Sequence, residues 1–477
     1  MINIICEISK YLIILFMILY TVKCFSVMSS GDEEIKRKKL NKQIVYVFVI
    51  HFLCYLTMYL RLGTMKILVF YGVQIFVAVF YMLIYHSIYK ESSRLLTNNC
   101  AFMLLIGYTI LTRLNFNLAV KQFILATVGL FISAFIPWIM LKWKRLKEHG
   151  IAYGIIGLFM LLTVFIPRVG VEIYGSRNWI KIGPVSMQPM EFVKILFVFF
   201  VASMLVKANT FGDLMLNAII SAAFMGVLVL EKDLGAAVIF YITYVCMVYL
   251  ATSRAIFFFG GISLGAGAIF IGYQLFKDTL FRHVMVRVAA WQDPFAHIDD
   301  SGYQLSQSLF AMGTGGYMGS GLTTGKANTI PVSESDFIFS AICEELGVIF
   351  GLALILVLVS VFISFVNVAM KCKSPFYKYV SFGFGMIYII QALLNIGGVT
   401  KFIPSTGVTL PLISNGLSSV LSTLIIFGVV QGVYVISNKE AIKHEKEKER
   451  IQSVMQGTYP GGRVSPKRER TLPKQPN

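Results

Sequence analysis

A polar patch interrupts an oily chain between residues 287 and 309. Arg287 is followed by Trp291, Asp293 and Pro294, then by His297, Asp299, Asp300 and Tyr303. Carboxylates so placed are candidates for proton transfer, and the arginine is a candidate for meeting an anion. Downstream, GTGGYMGSGLTTG (313–325) is dense in glycine, which permits turns and close backbone approach to a ligand. Loops of this length are often functional. An exposed loop whose acids simply face water is the plain alternative.

Three more charged groups sit in apolar surroundings. In QPMEFVKI (188–195), Glu191 and Lys194 are three apart and share a helix face. Charges at membrane depth are costly, usually paired and often functional; a purely structural ion pair is the alternative. EKDLG (231–235) and ESDFIFSAICEELG (334–347) place acids at the ends of apolar runs. The first could simply mark an interface, and in the second Asp336 with Glu344 could bind an ion or serve as a helix-terminal charge plus one buried acid. PSTGVTLPLISNGLSS (404–419) breaks the chain with Pro and Gly and is rich in hydroxyls, including Ser414, Ser418 and Ser419. Irregular backbone at membrane depth must face protein or a watery cavity, and its hydroxyls could satisfy that backbone or bind a phosphate.

The elements that position these residues are membrane spans. Of 477 residues, 57% are hydrophobic and only 14% charged, with a mean hydropathy of +0.74. A soluble domain carries about 25% charged residues. Apolar runs long enough to cross a bilayer are expected at 9–28, 43–61, 65–86, 97–113, 119–141, 151–168, 188–207, 213–230, 235–252, 254–274, 336–363, 378–398 and 419–437. An all-α polytopic membrane protein follows; a β-barrel would show short alternating segments instead. The net charge of +18 does not call for nucleic acid, because cytoplasmic loops collect Lys and Arg. Basic clusters occur at Lys36, Lys38 and Lys39, at Lys142, Lys144, Arg145 and Lys147, at Lys371, Lys373 and Lys378, and from Lys439 through Lys443, Lys446, Lys448 and Arg450. The expected spans put all of them on one side, with the N-terminus outside, the C-terminus cytoplasmic and residues 275–335 outside. The seven cysteines form no close CxxC pair and read as small buried hydrophobes. The tail, 438–477, is basic, and its end is too polar to form a core, so disorder is expected. No nucleotide-binding or zinc-protease motif stands in a useful context.

Several of these segments, in this order, resemble the SEDS family of bacterial FtsW, RodA and SpoVE proteins. They are GSRNWIKIG (175–183), QPMEFVK (188–194), WQDPF (291–295), SGYQLSQSL (301–309), SDFIFSAICEELG (335–347) and GVTLPLISNGLSS (407–419). The resemblance implies a ten-span core over 97–437, a large extracellular loop at 275–335 and three additional spans within 1–96. It implies a peptidoglycan glycosyltransferase of the bacterial cell membrane that polymerises lipid II during division, elongation or sporulation. The implied partners are a class B penicillin-binding transpeptidase and other division or elongation proteins. The family's essential extracellular aspartate falls on Asp293, its membrane pair on Glu191 and Lys194, and its arginine on Arg287. Trp291, Tyr303, Gln304, Gln307, Ser414, Ser418 and Ser419 are the expected substrate contacts. Asp293 would be the general base, and Arg287 and Lys194 would meet the leaving diphosphate. A divalent cation, Mg²⁺ or Mn²⁺, is expected to share that load, with Asp293 and Glu191 as candidate ligands. The chain departs from the family pattern at Met190, at Lys232, where proline is usual, and at Asn415 and Leu417. A flippase for lipid-linked precursors and a non-catalytic scaffold remain alternatives, since both would use buried charges and broken helices.

Overall fold

A computed structural model describes residues 1–455 apart from 144, 174, 184 and 277–281. Five antiparallel helices come first: α1 (Ile2–Met28), α2 (Glu33–Leu62), α3 (Met65–Ile88), α4 (Arg94–Leu114) and α5 (Phe116–Lys142). Their ends are written locally. The Asp32 carboxylate accepts from the Glu34 and Ile35 amides to start α2, and Gly63, at φ 63°, closes it. Asn115 both ends α4 and caps α5. A short helix, α6 (Gly150–Leu162), leads into three antiparallel strands: β1 (Gly170–Ile173), β2 (Ser176–Ile182) and β3 (Val185–Met187). Gly170 pairs with Ile180, and Ile180 with Met187. Then come α7 (Pro189–Lys207), α8 (Phe211–Leu230), α9 (Leu234–Thr252) and α10 (Ala255–Phe276). Two helices follow in the expected outer segment, α11 (Arg282–Gln292) and α12 (Tyr303–Gly315). The bundle ends with α13 (Ile338–Leu346), α14 (Val348–Lys371), α15 (Pro375–Val399) and α16 (Leu417–Met455).

Among the described residues, twelve helices are long and apolar enough to cross a membrane, and the stretch Gly150–Phe165 is a shorter apolar one. Counting it, each of the thirteen expected spans has its helix. The protein is therefore a multi-pass helical membrane protein. Three features differ from expectation. The span expected at 336–363 is two helices, because Gly347 at φ 93° and ψ 158° breaks the chain between α13 and α14. Every residue of α13 is buried, its two glutamates included. The segment 170–187, expected outside, forms a small sheet with turns at Gly175 (φ 81°) and Gly183 (φ 61°). The expected tail does not begin at 438; α16 continues to Met455 with charged residues on its exposed surface. The disorder expected for 456–477 and the side chain of Lys144 lie outside the described residues.

The first three helices are joined to the rest by polar contacts inside the bundle. Residues Leu95 through Thr112 of α4 are all buried, enclosed by α2, α3, α5, α14 and α16. The Asn99 amide oxygen accepts from the Tyr20 hydroxyl (2.6 Å), and the Asn98 amide donates to Gln43 (2.9 Å). His51 meets Thr109 at 3.2 Å, and Tyr55 meets Thr112 at 2.9 Å. On the other side the Asn99 amide donates to Ser360 of α14 at 3.3 Å. Such bonds are the usual glue between helices where hydrophobicity gives no preference.

Candidate active site

Strand β2 rests on the turn between α8 and α9 and fixes that turn's shape. The Arg177 amide donates to the Glu231 carbonyl (3.0 Å), and the Ser176 hydroxyl to the Lys232 carbonyl (3.1 Å). The Asn178 amide donates to Asp233 Oδ2 (2.7 Å), while Asp233 Oδ1 caps α9 by accepting from the Ala236 amide (3.0 Å). Burial holds the Asp233 carboxyl above its ordinary range, against the pull of these donors and of Arg287. Glu231 is almost wholly enclosed, and its Oε1 has no partner. Burial, with Asp233 adding to it, raises its carboxyl to about 9.

The α15–α16 connection forms the opposite wall. Asn395 holds it to the chain before α13 by donating to the Asp336 carbonyl (2.8 Å) and the Val408 carbonyl (2.6 Å). The Ser414 hydroxyl donates to the Ser335 carbonyl and accepts from the Leu410 amide. Gly407 sits at φ 71°, and a Cβ there would lie 3.6 Å from Asp336 Oδ2 and 4.0 Å from both terminal nitrogens of Arg287. Arg287 also donates to the Ser405 carbonyl at 3.5 Å. Burial raises the Asp336 carboxyl, and Arg287 opposes the rise.

Between these walls is a cavity of about 370 Å³. Its polar lining includes Asn178, Lys232, Asp233, Arg287, Gln304 and Asp336, with Ser418 and Ser419 at the start of α16. Segments far apart in sequence thus meet at one end of the bundle. Beneath them lies the buried pair from α7. Lys194 Nζ is 2.6 Å from Glu191 Oε2, with side chains 1% and 3% exposed. Lys194 donates to Gln391 (2.8 Å), and Gln391 donates to Ser419 (3.2 Å) and to Thr409, both on the cavity wall. The Ser422 hydroxyl donates to Glu191 at 2.8 Å. A continuous polar chain therefore links the ion pair to the cavity.

Of the expected site residues, Arg287, Gln304, Ser418 and Ser419 line this cavity, and Glu191 and Lys194 lie behind it. The others are placed differently. Asp293 is exposed at the end of α11, and its Oδ1 accepts from the Phe295 and Ala296 amides (3.2 and 3.1 Å). The Trp291 indole donates to the Lys401 carbonyl (3.1 Å) and ties α11 to the α15–α16 connection. Tyr303 is exposed and Gln307 half-buried on α12, and Ser414 knits backbone. Sequence reasoning singled out the segments of Asn178, Asp233, Asp336 and Thr409 without assigning these residues to the site, and missed Gln391 altogether. Gln391 is one amide in a long apolar run, a detectable signal by the logic that flagged Glu191.

A resident metal does not fit the two expected ligands. Glu191 is already neutralised by Lys194, and Asp293 stands on an exposed turn. Among the described residues no group of three or more His, Cys, Asp or Glu could hold an ion.

The chain as a whole is similar to known proteins. The chain is 35% identical over 327 residues to the peptidoglycan glycosyltransferase RodA of Mycobacterium tuberculosis, covering 65% of this chain and 69% of that one. It is 33% identical over 333 residues to stage V sporulation protein E of Bacillus subtilis, covering 67% and 87%. Its fold is similar to a chain from a peptidoglycan synthase complex that coordinates polymerization and crosslinking (TM-score 0.62, 23% identity, 72% of this chain and 98% of that one). It is also similar to Rod shape determining protein RodA of Thermus thermophilus (TM-score 0.54, 23% identity, 72% and 96%). The family model described as the cell cycle protein FtsW/RodA/SpoVE matches residues 100–439, and the chain belongs to that family.

Proposed function

We propose that this protein is a peptidoglycan glycosyltransferase that polymerises lipid II in the bacterial cell membrane. The observation that carries the reading is the cavity in which Arg287, Asp233, Asp336, Ser418 and Ser419 meet above the Glu191–Lys194 pair. It combines cations and hydroxyls suited to a diphosphate with apolar surroundings suited to lipid tails. The names of the relatives supply the reaction class.

In the proposed reaction a sugar hydroxyl of one lipid-linked saccharide attacks the anomeric carbon of another. The new glycosidic bond forms as the carbon–oxygen bond to the lipid diphosphate breaks, and the hydroxyl proton passes to a base. With one base and direct attack, configuration at that carbon inverts. Asp293 is the proposed base: two backbone amides hold its Oδ1, and the exposed residue directly follows α11, the helix that brings Arg287 to the cavity. Asp233 and Asp336 suit that role less, because burial favours their protonated forms. Arg287 would stabilise charge on the leaving diphosphate, and Lys194 would act on it through Gln391 and Ser419. A divalent cation would arrive with the substrate phosphates, as Mg²⁺ commonly does, and would neutralise diphosphate charge.

The cavity lies at the end of the bundle opposite the basic clusters at Lys142, Lys371 and Lys439. The positive-inside rule then supports a cytoplasmic C-terminus, an external N-terminus and an external active site. A class B transpeptidase is the proposed partner.

The test is lipid II polymerisation by purified protein, with and without that transpeptidase, beside Asp293→Ala. Loss of the base should slow strand synthesis by roughly 10²–10⁴ with folding intact. Activity that survives Asp293→Ala would remove Asp293 from the mechanism. Folded protein that makes no strands in any partnered condition would favour transport or scaffolding instead.

A further inference from the structure

Lys232 is a cation on the cavity wall that the proposed chemistry leaves unused. We infer that Lys232 is a diphosphate-binding residue, its ammonium completing with Arg287 a two-cation grip on the lipid-linked substrate. This rests on the proposed function, and three observations support it.

The first is backbone conformation. Lys232 sits at φ 60°, a region that branched and long side chains seldom occupy and that glycine and asparagine tolerate better. It is held there from several sides. Its own amide donates to the Val229 carbonyl (3.0 Å), its carbonyl accepts from Ser176 (3.1 Å), and the preceding carbonyl accepts from the Arg177 amide (3.0 Å). Proline, fixed near φ −65°, could not adopt this turn. Strained backbone held by its surroundings recurs at ligand sites.

The second is charge. Among the described residues Lys232 makes no ion pair. The acid next to it is already committed, since Asp233 accepts from Asn178 and from the Ala236 amide. The half-buried lysine therefore carries its charge uncompensated to a polar cavity.

The third is stoichiometry. Arg287 is the other cation lining the cavity. A substrate diphosphate bears at least two negative charges, and one guanidinium balances only one of them. A second ammonium on the facing wall would distinguish diphosphate from monophosphate.

The experiment measures binding of undecaprenyl diphosphate and undecaprenyl phosphate to the full-length protein in nanodiscs. Lys232→Asn removes the charge while suiting the backbone, Lys232→Gly relieves the backbone should the first variant fold poorly, and Lys232→Arg restores charge. The parent should prefer the diphosphate. The neutral variants should bind it roughly tenfold or more weakly, the scale of a charge-assisted hydrogen bond, with monophosphate binding little changed, and Lys232→Arg should recover most of the loss. Equal diphosphate affinity in parent and Lys232→Asn would overturn the assignment and leave the cavity reading intact. Failure of the folded parent to bind either lipid would overturn both.

Discussion

The buried Glu191–Lys194 pair gives the sharpest energetic prediction. Its side chains are 3% and 1% exposed and its atoms 2.6 Å apart. Removing one partner of such a pair costs roughly 3–5 kcal/mol, mostly because the other charge is left uncompensated. Lys194→Met leaves Glu191 with the Ser422 hydroxyl as its remaining donor. Glu191→Gln leaves Lys194 with neutral amide oxygens, Gln391's among them, and no carboxylate to balance its charge. Each single variant should therefore lose about 3–5 kcal/mol. The double variant buries no charge, and apolar or neutral replacement of a buried pair is often neutral or stabilising. It should cost no more than either single change, a coupling of at least about 3 kcal/mol, at or above the upper end for residues in contact. The assay is unfolding of detergent-solubilised protein by sodium dodecyl sulfate, followed by tryptophan fluorescence and circular dichroism. Single variants within about 0.5 kcal/mol of the parent, the margin of a neutral substitution, would refute the reasoning. So would a double variant whose loss equals the sum of the singles.

Two further outcomes follow from residues outside the spans. Burial keeps Glu231 protonated up to about 9, whereas an unfolded glutamic acid loses its proton near about 4.3. Between those values the unfolded state binds fewer protons, so this group's contribution to stability is complete at acid pH and declines as pH rises, by about 1.4 kcal/mol per unit; Glu231→Gln should flatten that slope in unfolding measured from pH 5 to 9. Gly319 has φ 79°, and a Cβ there would lie 2.4 Å from the Glu345 carbonyl oxygen; Gly319→Ala should cost at least roughly 1–3 kcal/mol, read as a lower midpoint in the same titration with Gly313→Ala, which meets nothing within 4 Å, as the control.

Hydropathy located the helices because each crossing needs a long apolar run, and every expected span has one. It could not separate a run that meets lipid from one that meets protein. Residues 336–363 read as one span, yet α13 is enclosed and turned aside at Gly347. The sheet at 170–187 escaped notice because its strands are only three to seven residues long. At the site, charges in apolar surroundings identified Glu191, Lys194 and the segments of Asp233 and Asp336. Their convergence is a property of packing, which local sequence does not record. Asp293 is the converse case: its segment stood out in sequence, but its side chain lies on an exposed turn beside the cavity's arginine helix.

The enclosure of α4 has a consequence for the order in which the protein is built. Helices α1 to α3 leave the ribosome before α4 and enter the bilayer carrying Tyr20, Gln43, His51 and Tyr55. The native partners of those groups include Asn98, Asn99, Thr109 and Thr112 on a segment not yet made. Unsatisfied polar groups in hydrocarbon are expensive, so the three early helices are an incomplete intermediate until the fourth arrives. The dependence also runs backwards: a shortened chain that starts at α4 would turn Asn98 and Asn99 toward lipid. The leading helices and α4 thus complete one another's hydrogen bonding, and neither set is satisfied alone.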